Sequence, residues 1–309
     1  MEIQAPEEWY SLLGNLQKEK GVAILLGATD TGKTTLAKFL ISRLSQRGEK
    51  TALVDADIGQ SFLGPPTTIG LALFESPPHW EEALSPEIFF VGSTTSEGNF
   101  PLQLKGTKRI VDRAISRGAE VIIVDTTGLV YGEMGKKLKR RKIDLLSPRF
   151  ILALQRTEEV EHILSLYERN PSFGIHRPPL SERVKSRSQE ERALYRRRKF
   201  REYFEASKSK ELLVDGVILE GKVVGSNGFS MPLDWALGVK GLLLGLKDVN
   251  DETLALGVIE DFDKEGRRLR IYTPFNDIEK VKILQLSSIK LTQSHEEERV
   301  RKTIPQSPR

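Results

Sequence analysis

Short runs of consecutive apolar residues recur through the first half of the chain. They lie in GVAILLG, TALVDAD, EIFFVGS, AEVIIVDTTG and RFILALQRT, and helix-like segments separate them, including one over 34–47 and one that stops at Gly118. A strand buried on both faces is apolar throughout, whereas a strand with one wet face alternates. The pattern therefore predicts a doubly wound, mainly parallel α/β domain over residues 1–170, with helices on both faces of the sheet.

The pattern changes in the second half. A helix is predicted over 158–169, and after it a Pro- and Ser-rich connector leads into a basic helical stretch. We assign 171–211 to a lid and connector region that packs with the first domain. From residue 212 short apolar pieces alternate with Gly, Asp and Asn, which predicts a small C-terminal β-domain, a barrel or sandwich, over 212–292. The polar segment 293–309 is expected to be disordered.

Composition narrows the class of protein. Of 309 residues, 39% are hydrophobic and 29% charged, a balance that allows a large core in a soluble protein. The absence of cysteine excludes disulfides and thiolate metal sites, and four scattered histidines make oxygen ligands the expectation for any metal. An acidic first segment and the lack of a long apolar run predict a cytoplasmic protein without a membrane partner.

The strongest motif is a complete GxxxxGK[ST] phosphate loop between a predicted strand and a predicted helix. Glycines allow backbone amides to turn inward around a β-phosphate at a helix N-terminus, the lysine reaches the γ-phosphate, and the hydroxyl faces Mg²⁺. The first domain is therefore predicted to be a P-loop NTPase domain that binds ATP and Mg²⁺. The residues expected around ATP are Gly27, Ala28, Thr29, Asp30, Thr31, Gly32, Lys33, Thr34 and Thr35.

Two aspartates end predicted strands near this loop. Asp57 closes the second strand in DADIGQ, and Asp125 closes the very apolar strand VIIVD. Each is a candidate magnesium ligand at the carboxyl edge of the sheet, and Asp57 is also a candidate proton acceptor. Asp55 lies on the same side of the second strand, so one of Asp55 and Asp57 could hold Mg²⁺ through water while the other accepts a proton. The alternative for Asp57 is that it caps the following turn. Gln155 and Arg156, after the fifth strand, are candidates for contact with the adenine base.

Positive charge is concentrated in two segments. KKLKRRK at 136–142 holds six basic residues, and a second cluster extends from Arg183 to Arg201. Such clusters can neutralise the phosphates of a nucleic acid, although a solvated helix face is the usual role of a charge run. The second cluster contains few acids and follows the connector, which is typical of an arginine-bearing lid.

Together these motifs resemble the polynucleotide 5′-hydroxyl kinases, a family with archaeal RNA kinases and a subunit of the eukaryotic pre-mRNA cleavage factor. The resemblance rests on GATDTGKTT, DADIGQ, GSTTSEGN, DTTG and RSQEER followed by KFREYF, and on VKGLLLGLKD, LALGVIEDFD and LRIYTPF in the C-terminal part. It covers about residues 20–292. It implies transfer of the ATP γ-phosphate to a 5′-hydroxyl, with RNA the expected acceptor and DNA an alternative.

The resemblance also implies roles for individual residues. Lys33, Asp57, Arg187 and Arg192 would be catalytic: Asp57 would position or deprotonate the hydroxyl, and the two arginines would stabilise the transferring phosphoryl group. The residues expected at the nucleic acid are Gln60, Ser96, Asn99, Thr127 and Gly128. Leu129 stands where some members have a Trp, and Tyr131 is either a substitute stacking platform or a packing residue.

Two other functions are compatible with these motifs. One is a non-catalytic RNA-processing scaffold that holds ATP, although the retained lysine, aspartate and arginines are not needed by a scaffold. The other is a different P-loop ATPase or a small-molecule kinase, because the phosphate loop alone does not specify the acceptor. No required protein partner is indicated.

Overall fold

The computed structural model describes residues 5–80, 86–182, 184–221, 223–224, 230–292 and 294–299. These residues form two compact units. The first comprises the described parts of Met1–Gly64, Thr68–Val91 and Thr95–Gln189, and the second those of Pro65–Thr67, Gly92–Thr94 and Glu190–Arg309. Within the described residues, no helix is both long enough and apolar enough to span a membrane.

The first unit contains a seven-stranded sheet of order β4-β3-β2-β5-β1-β6-β7. Its strands are β1 (Gly21–Leu26), β2 (Thr51–Ala56), β3 (Thr68–Phe74), β4 (Glu87–Phe90), β5 (Val121–Thr126), β6 (Phe150–Ala153) and β7 (Gly174–His176). Its helices are α1 (Glu7–Glu19), α2 (Lys33–Gln46), α3 (Phe100–Ser116), α4 (Gly132–Leu146) and α5 (Glu161–Leu164).

The central strands of this sheet are parallel and buried on both faces. β5 pairs in parallel with β1 and β2, and β6 pairs in parallel with β1 and β7. One apolar cluster, which includes Ile110 of α3 and Ile143 of α4, covers one face, and a second cluster with Leu13 of α1 and Leu40 of α2 covers the other. The predicted doubly wound, mainly parallel sheet is confirmed.

One edge of the sheet differs from the prediction. β3 was not predicted, and it pairs antiparallel with both β2 and β4. Its sequence TIGLALF is apolar, but Pro65 and Pro66 before it and the glycine within it are typical of a loop. The helix predicted over 158–169 is wrong in extent, because only Glu161–Leu164 is helical and hydrogen-bonded turns follow to Asn170.

The second unit is mostly antiparallel β structure. A seven-stranded sheet has the order β16-β15-β12-β13-β14-β8, with β9 added in parallel beside β15. The elements from Gln189 onward are α6 (Gln189–Phe204), β8 (Lys208–Leu213), β9 (Ile218–Gly221), β10 (Val223–Val224), β11 (Ser230–Met231), α7 (Leu233–Ala236), β12 (Leu242–Lys247), β13 (Thr253–Asp263), β14 (Arg268–Thr273), a 3-10 turn (Ile278–Lys280), β15 (Ile283–Leu291) and β16 (Glu297–Arg299). Of these, β10 and β11 form a separate two-stranded ladder. The predicted small C-terminal β-domain is confirmed.

Two boundaries differ from those expected from the sequence. The region 171–211 is divided, since the connector up to Gln189 belongs to the first unit and the rest of α6 to the second. In the segment expected to be disordered, β16 pairs antiparallel with the end of β15, while residues 300–309 lie outside the described residues. Glu297 of β16 also forms an ion pair with Arg196 of α6.

Candidate active site

The phosphate loop joins β1 to α2 with the geometry that its glycines permit. Gly32 has φ 83° and Asp30 has φ 56°, both in the left-handed region. A Cβ on Gly27 would lie 2.4 Å from the carbonyl oxygen of Leu154, so only glycine fits beside β6. Left-handed positions within such a loop turn successive amide groups to one side, where they form an anion-binding concavity.

Lys33 and Thr34 open α2 and point into the same site. The Nζ of Lys33 donates to the carbonyl oxygen of Ala28 at 2.7 Å. Burial lowers the pKa of Lys33, against the opposing effect of the Asp125 carboxylate. The hydroxyl of Thr34 donates to Oδ2 of Asp125 at 2.5 Å, while Oδ1 of Asp125 is buried without a hydrogen-bond partner among the described residues. This places the predicted lysine, hydroxyl and carboxylate together.

Asp55 and Asp57 lie at the end of β2 but differ in their contacts. Oδ2 of Asp55 accepts hydrogen bonds from the amides of Phe62 and Leu63, so this carboxylate organises the following loop. Burial and the nearby Asp125 carboxylate raise the pKa of Asp55 to about 7. Oδ1 of Asp57 accepts from the amide of Gln60 at 3.0 Å, which confirms that Asp57 caps the next turn.

The capping contact does not use the whole Asp57 carboxylate. Its Oδ1 also accepts from the amide of Gly59 at 3.1 Å, and its Oδ2 makes no hydrogen bond within the described part of the chain. The side chain is half-buried. Asp57 can therefore cap the turn with one oxygen and present the other to a ligand. The side chain of Gln60 donates to the carbonyl oxygen of Gly59 and remains beside the same turn.

The turn after β5 packs directly on the phosphate loop. A Cβ added to Gly128 would lie 2.6 Å from both the Cα and the amide nitrogen of Thr29. The carbonyl oxygen of Thr127 accepts a hydrogen bond from Lys139 of α4, and Lys139 also donates to the hydroxyl of Thr126 at 2.6 Å. The loop predicted to bind ATP and the turn predicted to bind nucleic acid therefore touch through backbone atoms.

Ser96 and Asn99 lie in the loop that precedes α3. Ser96 is 6% exposed, and its carbonyl oxygen accepts from the amide of Asn99 at 3.0 Å. The side-chain amide of Asn99 donates to the carbonyl oxygen of Glu97 at 2.8 Å. Both residues thus help to shape their own loop, and their contact with nucleic acid stays a prediction.

The two predicted lid arginines fall in different units. The backbone amide of Arg187 donates to Oδ2 of Asp30 at 2.9 Å, which ties the connector to the phosphate loop two residues before α6 begins. Arg192 lies within α6, in the second unit. Arg183 lies outside the described residues. The structure thus brings the backbone of Arg187 to the phosphate loop, and the catalytic roles of the Arg187 and Arg192 side chains stay predictions.

Two features of the site were not predicted from the sequence: a contact of Arg156 and the burial of two lysines of α4. The guanidinium of Arg156 donates to the carbonyl oxygens of Thr29 and Asp30, so it supports the phosphate loop, and its contact with adenine stays a prediction. Lys139 and Lys142 are fully buried, so at most four of the six basic residues at 136–142 can face a nucleic acid or solvent. Their spacing of three, continued by buried Leu146, is the periodicity of a helix core face and was the signal available.

The site fits a nucleoside triphosphate with Mg²⁺. The left-handed loop positions, the glycine beside β6 and Lys33 suit a polyphosphate, and Thr34 with Asp125 supplies one hydroxyl and one carboxylate. No group of three or more acidic or histidine side chains that could hold a metal occurs in the described ranges. Mg²⁺ at phosphate sites needs only one or two protein oxygens, because phosphates and water complete its coordination.

Comparison with known proteins identifies the family. The family model for the "mRNA cleavage and polyadenylation factor CLP1 P-loop" matches residues 27–206. The chain belongs to this CLP1 family. The resemblance drawn from the motifs is therefore confirmed, and membership implies ATP binding at the phosphate loop.

The sequences of individual relatives align with most of this chain. The polyribonucleotide 5′-hydroxyl-kinase of Pyrococcus furiosus is 32% identical over 325 residues, 91% of this chain and 90% of the relative. The enzyme of the same name from Methanocaldococcus jannaschii is 32% identical over 321 residues, covering 89% and 88%. The solved wild-type Clp1p–Pcf11p complex has a TM-score of 0.71 over 94% of this chain and 80% of the Clp1p chain at 17% identity, which shows the shared fold.

Proposed function

We propose that this protein is an ATP-dependent polyribonucleotide 5′-hydroxyl kinase, which transfers the γ-phosphoryl group of ATP to the 5′-hydroxyl end of RNA. One observation carries the proposal: the turn at Gly128 packs against the backbone of Thr29, so an acceptor held by that turn lies beside the phosphates. The names of the archaeal relatives support RNA as the acceptor. A small-molecule kinase would not require basic segments beside such a turn.

The described side chains suit an in-line transfer. The acceptor oxygen forms a bond to the γ-phosphorus, the bond from that phosphorus to the β–γ bridging oxygen breaks, and ADP leaves. Asp57 accepts the proton of the 5′-hydroxyl with the oxygen that does not cap its turn. Lys33 moves from the Ala28 carbonyl to the phosphates, and Arg187 and Arg192 balance charge on the transferring group.

Mg²⁺ would be held by Thr34 and Asp125, and Asp57, whose free oxygen is the proton acceptor, would contact it only through water. When bound, it neutralises charge on the β- and γ-phosphate oxygens. The buried Oδ1 of Asp125, which has no hydrogen-bond partner among the described residues, is the protein oxygen best suited to this contact. The hydrogen bond from Thr34 fixes the orientation of that carboxylate.

Acceptor binding is assigned to three loops at the carboxyl edge of the sheet. Gln60 follows β2, Ser96 and Asn99 precede α3, and the Thr127–Gly128 turn follows β5. Strand ends of this kind are where open α/β sheets bind ligands. The buried amine of Lys139 keeps the Thr127 carbonyl fixed, so the turn meets the acceptor with little loss of conformational entropy.

A transfer assay with γ-labelled ATP tests the proposal. Single-stranded and duplex RNA and DNA, each with a 5′-hydroxyl, are offered separately, and 5′-phosphorylated RNA is the substrate control. We expect label on 5′-hydroxyl RNA and none on the 5′-phosphorylated control. Lys33→Ala and Asp57→Ala are expected to reduce transfer at least about a hundredfold, the scale of lost charge stabilisation or general base catalysis.

The matched control is Lys50→Ala, which removes an exposed lysine at the amino end of β2. It is expected to retain full transfer. Transfer to a small hydroxylated metabolite but not to any polynucleotide would contradict the proposal, and so would full activity of both Lys33→Ala and Asp57→Ala. Tightly retained ATP without turnover would favour the scaffold instead.

A further inference from the structure

A groove of about 1210 Å³ lies between α3 and α4 in the first unit. Seven lysines and arginines line it, against three acidic side chains. Its basic residues are Lys105, Lys108 and Arg109 of α3, and Lys136, Lys137, Arg140 and Arg141 of α4. The groove is thus built from the outward face of α4, whose two other lysines point into the protein.

The acidic side chains neutralise only part of this charge. Lys108 forms an ion pair with Asp112, and Arg140 lies 3.7 Å from Asp144. Both pairs join residues four apart on one helix, and exposed pairs of that kind contribute little to stability. Lys136, Lys137 and Arg141 form no ion pair with any other residue in the described part of the chain, and Lys137 and Arg141 are exposed. The groove therefore presents a net positive surface.

The groove begins where the proposed acceptor loops end. α3 starts at Phe100, directly after Asn99, and α4 starts at Gly132, four residues after Gly128. Both helices then run from the carboxyl edge of the sheet toward its amino edge, because each connects back to the next parallel strand. The lining extends from Pro101 in the first turn of α3 to Asp112, about 17 Å at the helical rise per residue.

We infer that this groove holds the sugar-phosphate backbone of the acceptor RNA downstream of its 5′ end. The inference rests on the proposed function. A polymer whose first nucleotide lies at the acceptor loops must leave the site along the protein surface, and here the surface that starts at those loops is lined with cations. Contacts between Lys or Arg and phosphates carry no base information, so the groove binds RNA of any sequence.

The test removes three groove charges and varies the length of the acceptor. The variant is Lys136→Ala/Lys137→Ala/Arg141→Ala, and the acceptors are 5′-hydroxyl RNAs of about 3 and about 20 nucleotides. At about 0.1 M salt, KM for the longer RNA is expected to rise roughly tenfold, with kcat and the KM of the shorter RNA unchanged. The slope of log(kcat/KM) against log[salt] for the longer RNA should become shallower by about 2, at roughly 0.7 for each lost phosphate contact.

A second triple variant controls for net charge. Lys18→Ala/Arg47→Ala/Lys50→Ala removes three exposed cations from the amino edge of the sheet and is expected to leave both KM values unchanged. Equal effects of the two triple variants would overturn the inference, because they would indicate a general charge effect. Equal effects of the groove variant on short and long RNA would also overturn it, since the groove would then act at the acceptor end itself.

Direct binding separates this inference from the proposed function. Fluorescence anisotropy with a 3′-labelled RNA of about 20 nucleotides needs no catalysis, and the groove variant should bind it roughly tenfold more weakly than the unsubstituted protein. If the protein transfers no phosphate but shows this loss, the proposed function fails and the groove assignment stands. If transfer occurs but anisotropy is unchanged by the groove variant, only the groove assignment fails. Displacement of RNA by polyglutamate at equal charge would indicate an acidic protein partner and overturn the assignment.

Discussion

Lys142 is a buried cation whose removal should stabilise the protein. It lies on the inward face of α4 with no exposed surface, and its Nζ has no hydrogen-bond partner in the described part of the chain. Burial lowers the pKa of Lys142 from 10.5 to about 8, against smaller opposing effects of the Asp57, Asp125 and Asp55 carboxylates. An amine in this position is charged at neutral pH without compensating hydrogen bonds, which is unfavourable for folding.

The size and sign of the effect follow from the two pKa values. In the folded protein Lys142 releases its proton near pH 8, whereas in the unfolded chain it holds the proton to about pH 10.5. Between these values the unfolded state binds more protons, so the free energy of unfolding rises with pH. At about 1.4 kcal/mol for each pKa unit, the charged amine destabilises the folded protein by up to about 3 kcal/mol at pH 7.

Lys142→Met tests this reasoning, because methionine fills a similar volume without charge. Urea unfolding of the ligand-free protein at pH 7 should show a gain of up to about 3 kcal/mol, and the gain should shrink as the pH rises from 8 to 10.5. The difference between variant and unsubstituted protein is measured at each pH, so that other titrating groups cancel.

Lys139→Met is the matched control. Lys139 lies on the same face of the same helix with equal burial, but it donates to Thr126 and Thr127. Burial lowers the pKa of Lys139 as well, but its replacement also removes these hydrogen bonds and leaves buried acceptors unsatisfied. Lys139→Met should therefore gain less stability than Lys142→Met and should reduce phosphate transfer. If Lys142→Met destabilises the protein by more than about 1 kcal/mol at pH 7, or if its effect does not change between pH 8 and 10.5, the reasoning about the buried amine is wrong.

Three further substitutions separate structural from chemical roles. Asp57→Asn retains an oxygen for the turn amides but not a proton acceptor, so kcat should fall by about 10² to 10⁴ with the midpoint of urea unfolding nearly unchanged. Gly128→Ala forces a Cβ within 2.6 Å of the Thr29 backbone, so KM for ATP should rise at least about tenfold, whereas Gly14→Ala, with nothing within 4 Å, should leave it unchanged. Arg187→Ala should lower kcat by about 10³ while RNA binding, measured by anisotropy, stays the same; a parallel loss of RNA affinity would contradict a role at the transferring phosphoryl group.

Continuous apolar strands and the phosphate loop were sufficient to predict the first unit. Each run from GVAILLG to RFILALQRT is a strand, because burial on both faces demands apolar residues at every position. β3 was missed although it is also apolar, because the prolines before it and the glycine within it are typical of a loop. It joins the sheet through antiparallel pairing with β2, a tertiary contact that outweighs the loop signals of its flanking prolines and its glycine.

In the basic segment 136–142, a count of charged residues does not show which side chains reach the surface. A count of charges groups six cations, but α4 has a period of 3.6 residues, so the same segment contributes to two opposite surfaces. Lys139 and Lys142 face the sheet with Leu138 and Ile143, while the remaining cations line the groove beside α3. Helical periodicity alone would have separated the buried from the exposed cations. It would not have predicted the hydrogen bonds of Lys139, because these depend on the path of the chain after β5.

The sequence motifs predicted which residues form the candidate site, but the contacts between these motifs depend on the fold. Thr29 packs on the turn at Gly128, and the carbonyl of Asp30 accepts from Arg156 after β6. The carboxylate of Asp30 also accepts from the amide of Arg187, at the start of the predicted lid. Two adjacent residues of the phosphate loop thus contact three segments that are remote in sequence: the turn after β5, the segment after β6 and the connector before α6. Asp30 makes two of these contacts, with its carbonyl toward Arg156 and its carboxylate toward Arg187, so one short loop holds the three segments together. We expect this connection to keep the proposed acceptor turn and the predicted lid in place for transfer.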